Sequence, residues 1–259
     1  MSKLLLIDGD EIVYKIMAAH EEEVDFDRGC HENAWLYEAD IYLITNVSKA
    51  REAIDTKLLE LGKDYDLVFT CFTSTPNFRH DVFPDYKGGR LTKRKPLGYW
   101  SEVDRVMTSA VFNGRKIPGL EADDVMSIIA TNPKYRKYDC TIYSQDKDMY
   151  QVPDCTLIRG EEVSTRSVQE ANLFRYQQAL TGDRTDGYFG LKTYGPKKAQ
   201  ALLDGHTDAD EQTIIDAVVS EYLDRGESLD YAYSQINCAC ILRYEEYDFE
   251  KKEPILKGH

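Results

Sequence analysis

The sequence predicts an α/β protein with a central, mostly parallel sheet flanked by helices, followed by a helical C-terminal part. Short apolar runs at 3–7, 67–72 and 140–143 are typical of buried parallel strands, which are covered on both faces. Stretches with helical periodicity alternate with these runs, as in a sheet whose strands are joined by crossover helices. From about residue 168 onward the periodicity indicates helices alone.

The helices of the first half are predicted by apolar residues at helical spacing between the strands. Their ranges are about 10–19, a long helix within 35–62, 99–112 and 121–131. The ranges in the second half are 168–180, a glycine-punctuated pair within 183–204, 210–224 and 228–243. The last residues, YDFEKKEPILKGH, predict an extended tail.

Length and composition are those of a soluble protein. We expect one domain over 1–259, with a sheet core in 1–165 and a helical part in 166–259. The chain has no apolar run near 18 residues and no signal-peptide pattern, so we expect a cytoplasmic protein without a membrane span. Six cysteines without a C-x-x-C motif argue against a zinc site and a disulfide framework.

The charge is unevenly distributed along the chain. The net charge of −14 argues at first against a polyanionic partner. The segment 79–116, however, holds nine Lys or Arg against four acids and has a net charge of +5. Such a segment is often a solvated surface, but it leaves nucleic acid open as a partner.

Three carboxylates, Glu121, Asp123 and Asp124, stand in the run GLEADDV at the start of a predicted helix. Acids are favoured there by the helix dipole and the exposed N–H groups, and this explanation needs no site. Glu121 and Asp124, however, continue the apolar stripe of Val125 and Ile128, so they point toward the core. Buried ionised carboxylates need protons or cations to neutralise them, which suggests a metal.

More acids follow the predicted strands, where the carboxyl ends of a parallel sheet form a crevice. These acids are Asp8, Asp10, Asp146 and Asp148, with Asp183 and Asp186 in a later glycine-rich loop. Oxygen ligands without nearby His or Cys favour Mg²⁺ or Mn²⁺. So many carboxylates suit two ions about 3.5–4 Å apart, which predicts metal-assisted hydrolysis of a phosphodiester.

Two further motifs are suited to phosphate. The segment FRHDVFPDYKGGRLTKRKP sets Lys87 and Arg90 beside Tyr86, which fits phosphate neutralisation with base stacking, although a solvated loop is an alternative. The run GLKTYGPKKAQALL sets Lys197 and Lys198 in the first turn of a helix, where they oppose the helix dipole. A phosphate site at this helix start is one interpretation, and a plain helix–turn–helix connection is the other.

Together these motifs resemble the 5′-nuclease superfamily of flap endonucleases and polymerase-associated 5′→3′ exonucleases. They are IDGD (7–10), FPDYKGGR (83–90), GLEADD (119–124), SQDKD (144–148) and GDRTDGYFGLKTYGPKKA (182–199). Within the superfamily the chain is most similar to the exonuclease of short-tailed bacteriophages, including the runs LTGDRTDGYFG and RYEEYDFE. The resemblance covers nearly the whole chain and implies a PIN-like fold with a helix-three-turn-helix motif at about 182–204.

The resemblance implies a metal-dependent 5′→3′ exonuclease or flap endonuclease that acts on 5′ ends, nicks and flaps of DNA, and on RNA of RNA–DNA hybrids, in phage replication. Two Mg²⁺ ions, replaceable by Mn²⁺, would be held by Asp8, Glu121, Asp123, Asp124, Asp146, Asp148, Asp183 and Asp186. Lys87 and Arg90 would contact the scissile phosphate at an arch or clamp formed by about 79–116. The implied DNA contacts are Arg79, Tyr86, Lys93, Arg94, Lys192, Lys197 and Lys198. The resemblance also implies K⁺ at the helix-three-turn-helix, and we expect a monomer.

One position departs from the family pattern. Family members usually carry an acid after the second strand, whereas this chain has Ser74 there and no acid from 67 to 80. The departure puts catalytic strength in question and keeps a DNA-binding homologue without catalysis as an alternative. A haloacid-dehalogenase-type phosphatase is another, since LLLIDGDE resembles its D-x-D start, but Ile12 stands where that family expects Thr or Val.

Overall fold

The computed structural model describes residues 2–25, 41–90 and 94–258, and its central element is a six-stranded sheet. The strands in chain order are β1 (Ser2–Asp8), β2 (Glu21–Asp25), β3 (Ile41–Thr45), β4 (Leu67–Cys71), β5 (Gly114–Arg115), β6 (Tyr138–Tyr143), β7 (Thr156–Arg159), β8 (Glu162–Thr165), β9 (Tyr247–Asp248) and β10 (Glu253–Pro254). The sheet has the spatial order β5-β4-β1-β6-β7-β8, in which only β8 runs antiparallel to its neighbour. The predicted α/β class with a mostly parallel sheet is confirmed.

The register of β1 brings the ends of three strands to one edge of the sheet. Asp8 lies opposite Cys71 of β4, and Ile7 lies opposite Tyr143 of β6. Because the three strands run parallel, their carboxyl ends and the residues that follow them meet at the same place. This edge therefore collects the acids that follow β1 and β6.

The helices lie on both faces of the sheet and then form the second half of the chain. They are α1 (Gly9–Ala19), α2 (Val47–Gly62), α3 (Arg79–Val82), α4 (Tyr99–Thr108), α5 (Ala122–Thr131), α6 (Val168–Thr181), α7 (Pro196–Leu203), α8 (Glu211–Asp224) and α9 (Leu229–Ala239). The predicted helices 10–19, 121–131, 168–180 and 210–224 agree with α1, α5, α6 and α8 within two residues. In the described part of the chain no helix has the length and apolar character needed to cross a bilayer.

Local capping explains several helix starts. The Asp8 carboxylate accepts the backbone N–H of Glu11, so the residue that ends β1 also begins α1. Ser167 and Glu170 form a reciprocal capping box at α6, and Asp210 caps α8. These side chains satisfy N–H groups that have no partner within the helix.

Three apolar clusters fill the interior. One face of the sheet packs against α1, α2 and α4 through buried residues such as Leu5, Ile54 and Val103. The opposite face packs against α5 and the segment after α9. A third cluster joins α6, α7, α8 and α9 and includes Tyr86 from the loop after α3.

A buried charge network fastens the C-terminal segment to α6. The guanidinium of Arg175, which is fully buried, donates to Glu211, to Glu246 and to the carbonyl of Ile241. Burial alone would raise the pKa of Glu246, but Arg175 and Lys257 outweigh it and hold that pKa well below the usual range. The run RYEEYDFE therefore has a structural role.

Several sequence predictions were wrong. The pair of helices expected within 183–204 is an irregular loop followed by α7 alone. In this loop Gly182 and Gly190 have positive φ angles and their backbones pack directly against each other, which a helix does not allow. The long helix expected within 35–62 is present as α2, which occupies only Val47–Gly62 of that range because β3 precedes it and pairs with β2. The helices expected to reach 112 and 243 end at Thr108 and Ala239.

Short strands also escaped prediction. The antiparallel pair β7 and β8 lies where the sequence indicated no element, and β5 has only two residues. The tail expected to be extended contains the pair β9 and β10 instead. Two-residue strands have no measurable periodicity, because alternation becomes visible only over about four residues or more.

Glycines allow the loop after α6 to cross itself. Gly182 has a φ of 68°, and a Cβ there would lie 2.2 Å from the carbonyl carbon of Phe189. Gly187 has a φ of 79°, and its Cβ would lie 2.5 Å from the carbonyl oxygen of Asp85. Since only glycine fits both the dihedral angle and the close approach, the loop is held directly against the segment that carries Lys87.

We expect Gly182→Ala to lower the free energy of unfolding by at least about 2 kcal/mol. The new methyl group would overlap with the backbone of Phe189, which cannot shift without moving the rest of the loop. Gly205→Ala is the matched control, since a Cβ at Gly205 meets no atom within 4 Å and its φ is ordinary. Urea unfolding of both variants measures the difference. Equal stability of the two variants would contradict the described crossing of the loop.

Candidate active site

Asp8 occupies the centre of the acidic edge, at the end of β1. Its Oδ1 accepts the N–H of Glu11 at 3.0 Å, and its Oδ2 accepts the hydroxyl of Ser144 at 3.3 Å. Burial raises the pKa of Asp8 to about 7, with a further contribution from the charge of Asp10. The carboxylate is thus fixed in direction and destabilised as an anion.

The end of β6 contributes a second pair of acids. Asp146 begins a short 3₁₀ turn over Lys147–Gln151, and its Oδ1 accepts the N–H of Asp148 at 2.8 Å. Asp148 itself accepts the side-chain amide of Gln178 from α6. Burial, followed by the charge of Asp146, raises the pKa of Asp148 to about 7.

The start of α5 contributes Glu121 and Asp123. Burial raises the pKa of Asp123 well above its usual range, and the charges of Asp146 and Asp8 raise it further. Asp123 lines one cavity together with Glu121 and with Asp148, which follows β6. The cavity is consistent with the sequence prediction that the start of α5 meets the acids after β6.

Lys87 links Glu121 to the loop after α6. Its ammonium donates to Glu121 Oε1 and lies 3.7 Å from Asp186 Oδ2, while its backbone N–H donates to the Asp186 carbonyl at 2.6 Å. Burial alone would lower the pKa of Lys87, but the two carboxylates outweigh it and raise that pKa. Burial likewise favours protonated Glu121, yet Lys87 and Arg79 lower its pKa to about 2.

Asp124 is paired with Arg79, and its predicted role as a metal ligand is not supported by its position. It is fully buried, and its two oxygens accept both terminal nitrogens of Arg79 at 2.7 and 2.8 Å. The N–H of Leu242 donates to Asp124 Oδ1 at 2.9 Å. With these partners the carboxylate is neutralised by an arginine, as a buried acid requires.

Arg79 was expected to contact DNA, and this expectation is wrong for the structure described. Its side chain is 2 % exposed. Besides Asp124, it donates to the carbonyl oxygens of Cys238 and Cys240 at 3.1 and 2.8 Å. Arg79 therefore joins α3 and α5 to the end of α9, because each of its donors is used inside the protein.

Tyr86 was expected to stack on a base, but its ring is also buried. It is 2 % exposed, its hydroxyl donates to Glu121 Oε2 at 2.9 Å, and its ring stacks on Tyr188 with centroids 6.5 Å apart. Burial raises the pKa of Tyr86 well above its usual range, so it remains a hydrogen-bond donor. Its position supports a role in orienting Glu121.

The loop after α6 brings Asp183 and Asp186 to the other side of the site. Asp183 accepts the N–H of Thr185 at 2.8 Å and the ammonium of Lys147 at 3.2 Å. Burial opposes ionisation of Asp183, but these two donors outweigh it and lower its pKa. Asp186, Asp148, Asp123 and Lys87 line one small cavity.

The donor set fits a hard divalent cation in its chemistry. Asp8, Asp123 and Asp148 have raised pKa values because they are buried near other carboxylates, and a cation would relieve this repulsion. As the side chains stand, no group of three acids, His or Cys within the described ranges forms a ready coordination shell. Glu121 and Asp183 are instead held by lysines.

The other basic residues predicted for DNA lie in different surroundings. Lys192, Lys197 and Lys198 are exposed, on the loop before α7 and in its first turn. Arg94 is exposed and forms a bidentate ion pair with Glu21 of β2, at 2.9 Å for both bonds. Lys93 and the side chain of Arg90 lie outside the residues that the structure describes.

A family model described as the N-terminal resolvase-like domain of 5′-3′ exonucleases matches residues 3–176. The chain belongs to the 5′-3′ exonuclease family. This membership confirms the resemblance drawn from the motifs and assigns the chain to the nuclease class of enzymes. The haloacid-dehalogenase-type phosphatase is accordingly the wrong family, even though IDGD resembles its opening motif.

Phage nucleases are similar to the chain over nearly its full length. The exonuclease of Escherichia phage T7 is 27% identical, with 96% of this chain and 91% of that protein covered. The exodeoxyribonuclease of Enterobacteria phage T3 is 28% identical with the same coverage. The thermostable DNA polymerase I of Thermus aquaticus is 29% identical over 57% of this chain, which corresponds to 19% of the polymerase.

Solved structures agree with the family in their fold. A bacteriophage T5 protein co-crystallised with metal ions superposes with a TM-score of 0.61 at 16% identity, covering 90% of this chain and 88% of that one. A T5 flap endonuclease in a complex with DNA and metal ions gives a TM-score of 0.60 at the same identity. The predicted PIN-like 5′-nuclease fold is thereby confirmed.

Sequence reasoning missed some polar residues at this site. Asp10 was noted beside Asp8 but not included among the expected ligands, although the D-x-D spacing was a visible signal. Gln178 donates to Asp148 from the middle of α6, and Ser144 donates to Asp8 from the end of β6. Neither had a signal in the sequence, because an isolated Gln or Ser has no characteristic spacing.

We expect Arg79→Met to lower the free energy of unfolding by about 3–5 kcal/mol, because Asp124 would be left buried without its cation. Arg94→Met is the control and should cost at most about 1 kcal/mol, since its ion pair with Glu21 is exposed. The double variant Arg79→Met with Asp124→Leu should recover most of the loss. Urea unfolding measures all three, and a stable Arg79→Met variant with weakened DNA binding would restore Arg79 as a DNA contact.

We expect Mg²⁺ to stabilise the protein much more at about pH 8 than at about pH 5. The pKa values of Asp8 and Asp148 are raised from 3.8 to about 7, so the folded state binds protons more tightly than the unfolded state. Proton binding therefore stabilises the folded state fully below about pH 4, and this stabilisation is lost as the pH rises through about 7. Above that pH both carboxylates are ionised and can bind a cation.

Thermal unfolding with chelator or with excess Mg²⁺ measures this effect. A shift of several degrees is expected at the higher pH and little shift at the lower one. Asp148→Asn should reduce the shift at high pH. A Mg²⁺ shift that is the same at both pH values would contradict the proton competition.

Proposed function

We propose that this 5′-3′ exonuclease hydrolyses phosphodiester bonds at the 5′ ends of duplex DNA, including nicks and flaps, with two divalent ions of which Mg²⁺ is the physiological one. RNA in RNA–DNA hybrids is a further substrate, and phage replication is the process. The observation that carries the proposal is the cavity lined by Lys87 and four carboxylates, which are Glu121, Asp123, Asp148 and Asp186. Mn²⁺ should replace Mg²⁺, since both prefer carboxylate oxygens.

The acids divide into two groups by the elements that carry them. Asp8, Glu121 and Asp123 come from β1 and the start of α5, and would hold one ion. Asp146, Asp148, Asp183 and Asp186 come from the turn after β6 and the loop after α6, and would hold the other. Bound divalent ions of this kind acidify a water molecule and neutralise charge on the phosphate.

Lys87 is located to bind the scissile phosphate, because it lines the cavity that the acids form. Its ammonium stays protonated because Glu121 and Asp186 raise its pKa. A charged donor at the edge of the acidic cluster binds a phosphate oxygen and offsets the negative charge that develops on it during hydrolysis. We assign Arg90 the same role from the turn Gly88–Arg90, three residues further on.

The loop after α6 and the start of α7 form the duplex-binding surface in this proposal. Lys192, Lys197 and Lys198 are exposed there, on the loop before α7 and in its first turn, so their ammonium groups can contact phosphates. We propose that the helix-three-turn-helix expected at about 182–204 consists of the end of α6, the loop after it and α7, with K⁺ bound by the backbone carbonyls of that loop. Lys93 and Arg94 belong to the arch or clamp segment of about 79–116.

Residues 1–259 act as one nuclease domain in this proposal, with the sheet core in 1–165 and the helical part in 166–259. The apolar clusters support the single domain, because Tyr86 from the first half is buried among helices of the second half. The acids at the sheet edge and the acids of the loop after α6 then belong to one site. The proposal also takes the protein to work as a cytoplasmic monomer.

We expect wild-type protein with Mg²⁺ to release labelled nucleotides from 5′-labelled duplexes and flaps before it shortens 3′-labelled ones. Asp148→Asn should reduce the rate about 100-fold or more, because one group of ligands loses a charge. Asp139→Asn is the matched control, since Asp139 lies exposed at the opposite end of β6 and should leave the rate unchanged. Single-turnover cleavage measures the rates.

Lys197→Ala separates binding from chemistry in the same assay. It should weaken DNA affinity and reduce the slope of log K against log salt concentration by about 1, the value for one lost phosphate contact. The single-turnover rate at saturating DNA should be preserved. Degradation from the 3′ end, or full activity of Asp148→Asn, would overturn the proposal. Tight binding of flaps without cleavage in Mg²⁺ or Mn²⁺ would instead favour the DNA-binding homologue without catalysis.

A further inference from the structure

Asp10 lies beside Asp8, and no role was assigned to it by the motifs. It stands in the first turn of α1, two residues after the acid that ends β1. Asp8 lies opposite Cys71 of β4 and accepts the N–H of Glu11 at 3.0 Å, so it stands where β1 ends and α1 begins. Both acids therefore belong to the wall of the site formed by the ends of β1 and β4.

The Asp10 carboxylate is held by residues distant in sequence. Its Oδ2 accepts the backbone N–H of Thr73 at 2.8 Å, just beyond the end of β4. Its Oδ1 accepts the hydroxyl of Tyr99 at 2.6 Å, from the first residue of α4. Because both oxygens have a donor, the orientation of the carboxylate is set by three different elements.

The end of β4 has no acid of its own at this wall. Thr73 and Ser74 follow the strand, and from 67 to 80 the chain contains no Asp or Glu. Thr73 uses its hydroxyl to accept the N–H of Ala122 at 3.1 Å, which joins β4 to the start of α5. Asp10 thus brings a carboxylate to the end of β4, through the N–H of Thr73.

We propose that Asp10 is a metal-holding residue of this wall and supplies the carboxylate that the end of β4 lacks, with Tyr99 and Thr73 as its positioning residues. The inference rests on the proposed function in assuming that a divalent cation binds at Asp8. A second negative charge beside Asp8 increases the attraction for a cation, and oxygen donors fixed by hydrogen bonds lose little entropy on binding it. Asp10 then explains why Ser74 can stand after β4 in an enzyme.

Mn²⁺ binding to the full chain without DNA tests this, with free Mn²⁺ measured by electron paramagnetic resonance. Asp10→Asn should weaken Mn²⁺ binding about tenfold. The double variant Asp10→Asn with Ser74→Asp should bind Mn²⁺ at least about threefold more tightly than Asp10→Asn alone, because the end of β4 then carries a carboxylate at the same wall. Glu52→Gln is the control, since Glu52 is an exposed acid on α2 and should leave binding unchanged.

Tyr99→Phe separates charge from position. It removes one hydrogen bond and keeps the Asp10 carboxylate, so Mn²⁺ affinity should change by less than about threefold. Wild-type affinity in Asp10→Asn would overturn the inference, and so would a loss of affinity in Tyr99→Phe equal to that in Asp10→Asn. If thermal unfolding finds Asp10→Asn unfolded, Ser74→Asp alone decides, since an added carboxylate at this wall should tighten Mn²⁺ binding and an unchanged affinity would refute the role.

The inference and the proposed function fail in different ways. Cleavage from 5′ ends by the wild type, combined with normal Mn²⁺ binding by Asp10→Asn, would remove only the role of Asp10. Absence of cleavage by the wild type with either ion would remove the proposed function, whatever Asp10→Asn binds. The two measurements use the same protein and do not depend on each other.

Discussion

Repulsion among carboxylates at one edge of the sheet is the constraint on which the rest of the structure depends. Parallel pairing of β4, β1 and β6 brings their ends together, and α5 begins at the same place. Burial and the neighbouring carboxylates raise the pKa values of Asp8, Asp123 and Asp148, so folding destabilises their ionised forms. A nuclease keeps such a cluster because divalent ions convert the repulsion into binding energy.

Arginine and lysine deal with the acids that would otherwise add to this repulsion. Arg79 neutralises Asp124 in the interior and reaches the carbonyls at the end of α9. Lys87 holds Glu121 and lies near Asp186, which joins the sheet to the helical half. The same cations that stabilise the fold therefore decide which carboxylates face the cavity and which do not.

Much of the site was predictable because its residues follow strands in short, recognisable motifs. Asp8, Asp146 and Asp148 could be located from the apolar runs before them, and the parallel pairing of β1 and β6 brings the ends of these runs to one edge. The directions of Arg79 and Tyr86 could not be predicted in the same way. A basic or aromatic residue in a polar segment has the same pattern whether its side chain faces solvent or the interior.

The sequence by itself determined the order of β1, β4 and β6, the family, and the acids that end β1 and follow β6, because these depend on local apolar runs and contiguous motifs. Only the tertiary structure decided that Asp124 faces Arg79 and that Asp10 is held by Thr73 and Tyr99. Asp10 and its partners are 63 and 89 residues apart in the chain. The direction of a side chain depends on such distant donors and acceptors. The sequence pattern around one residue does not show which distant residues will lie beside it in the folded chain.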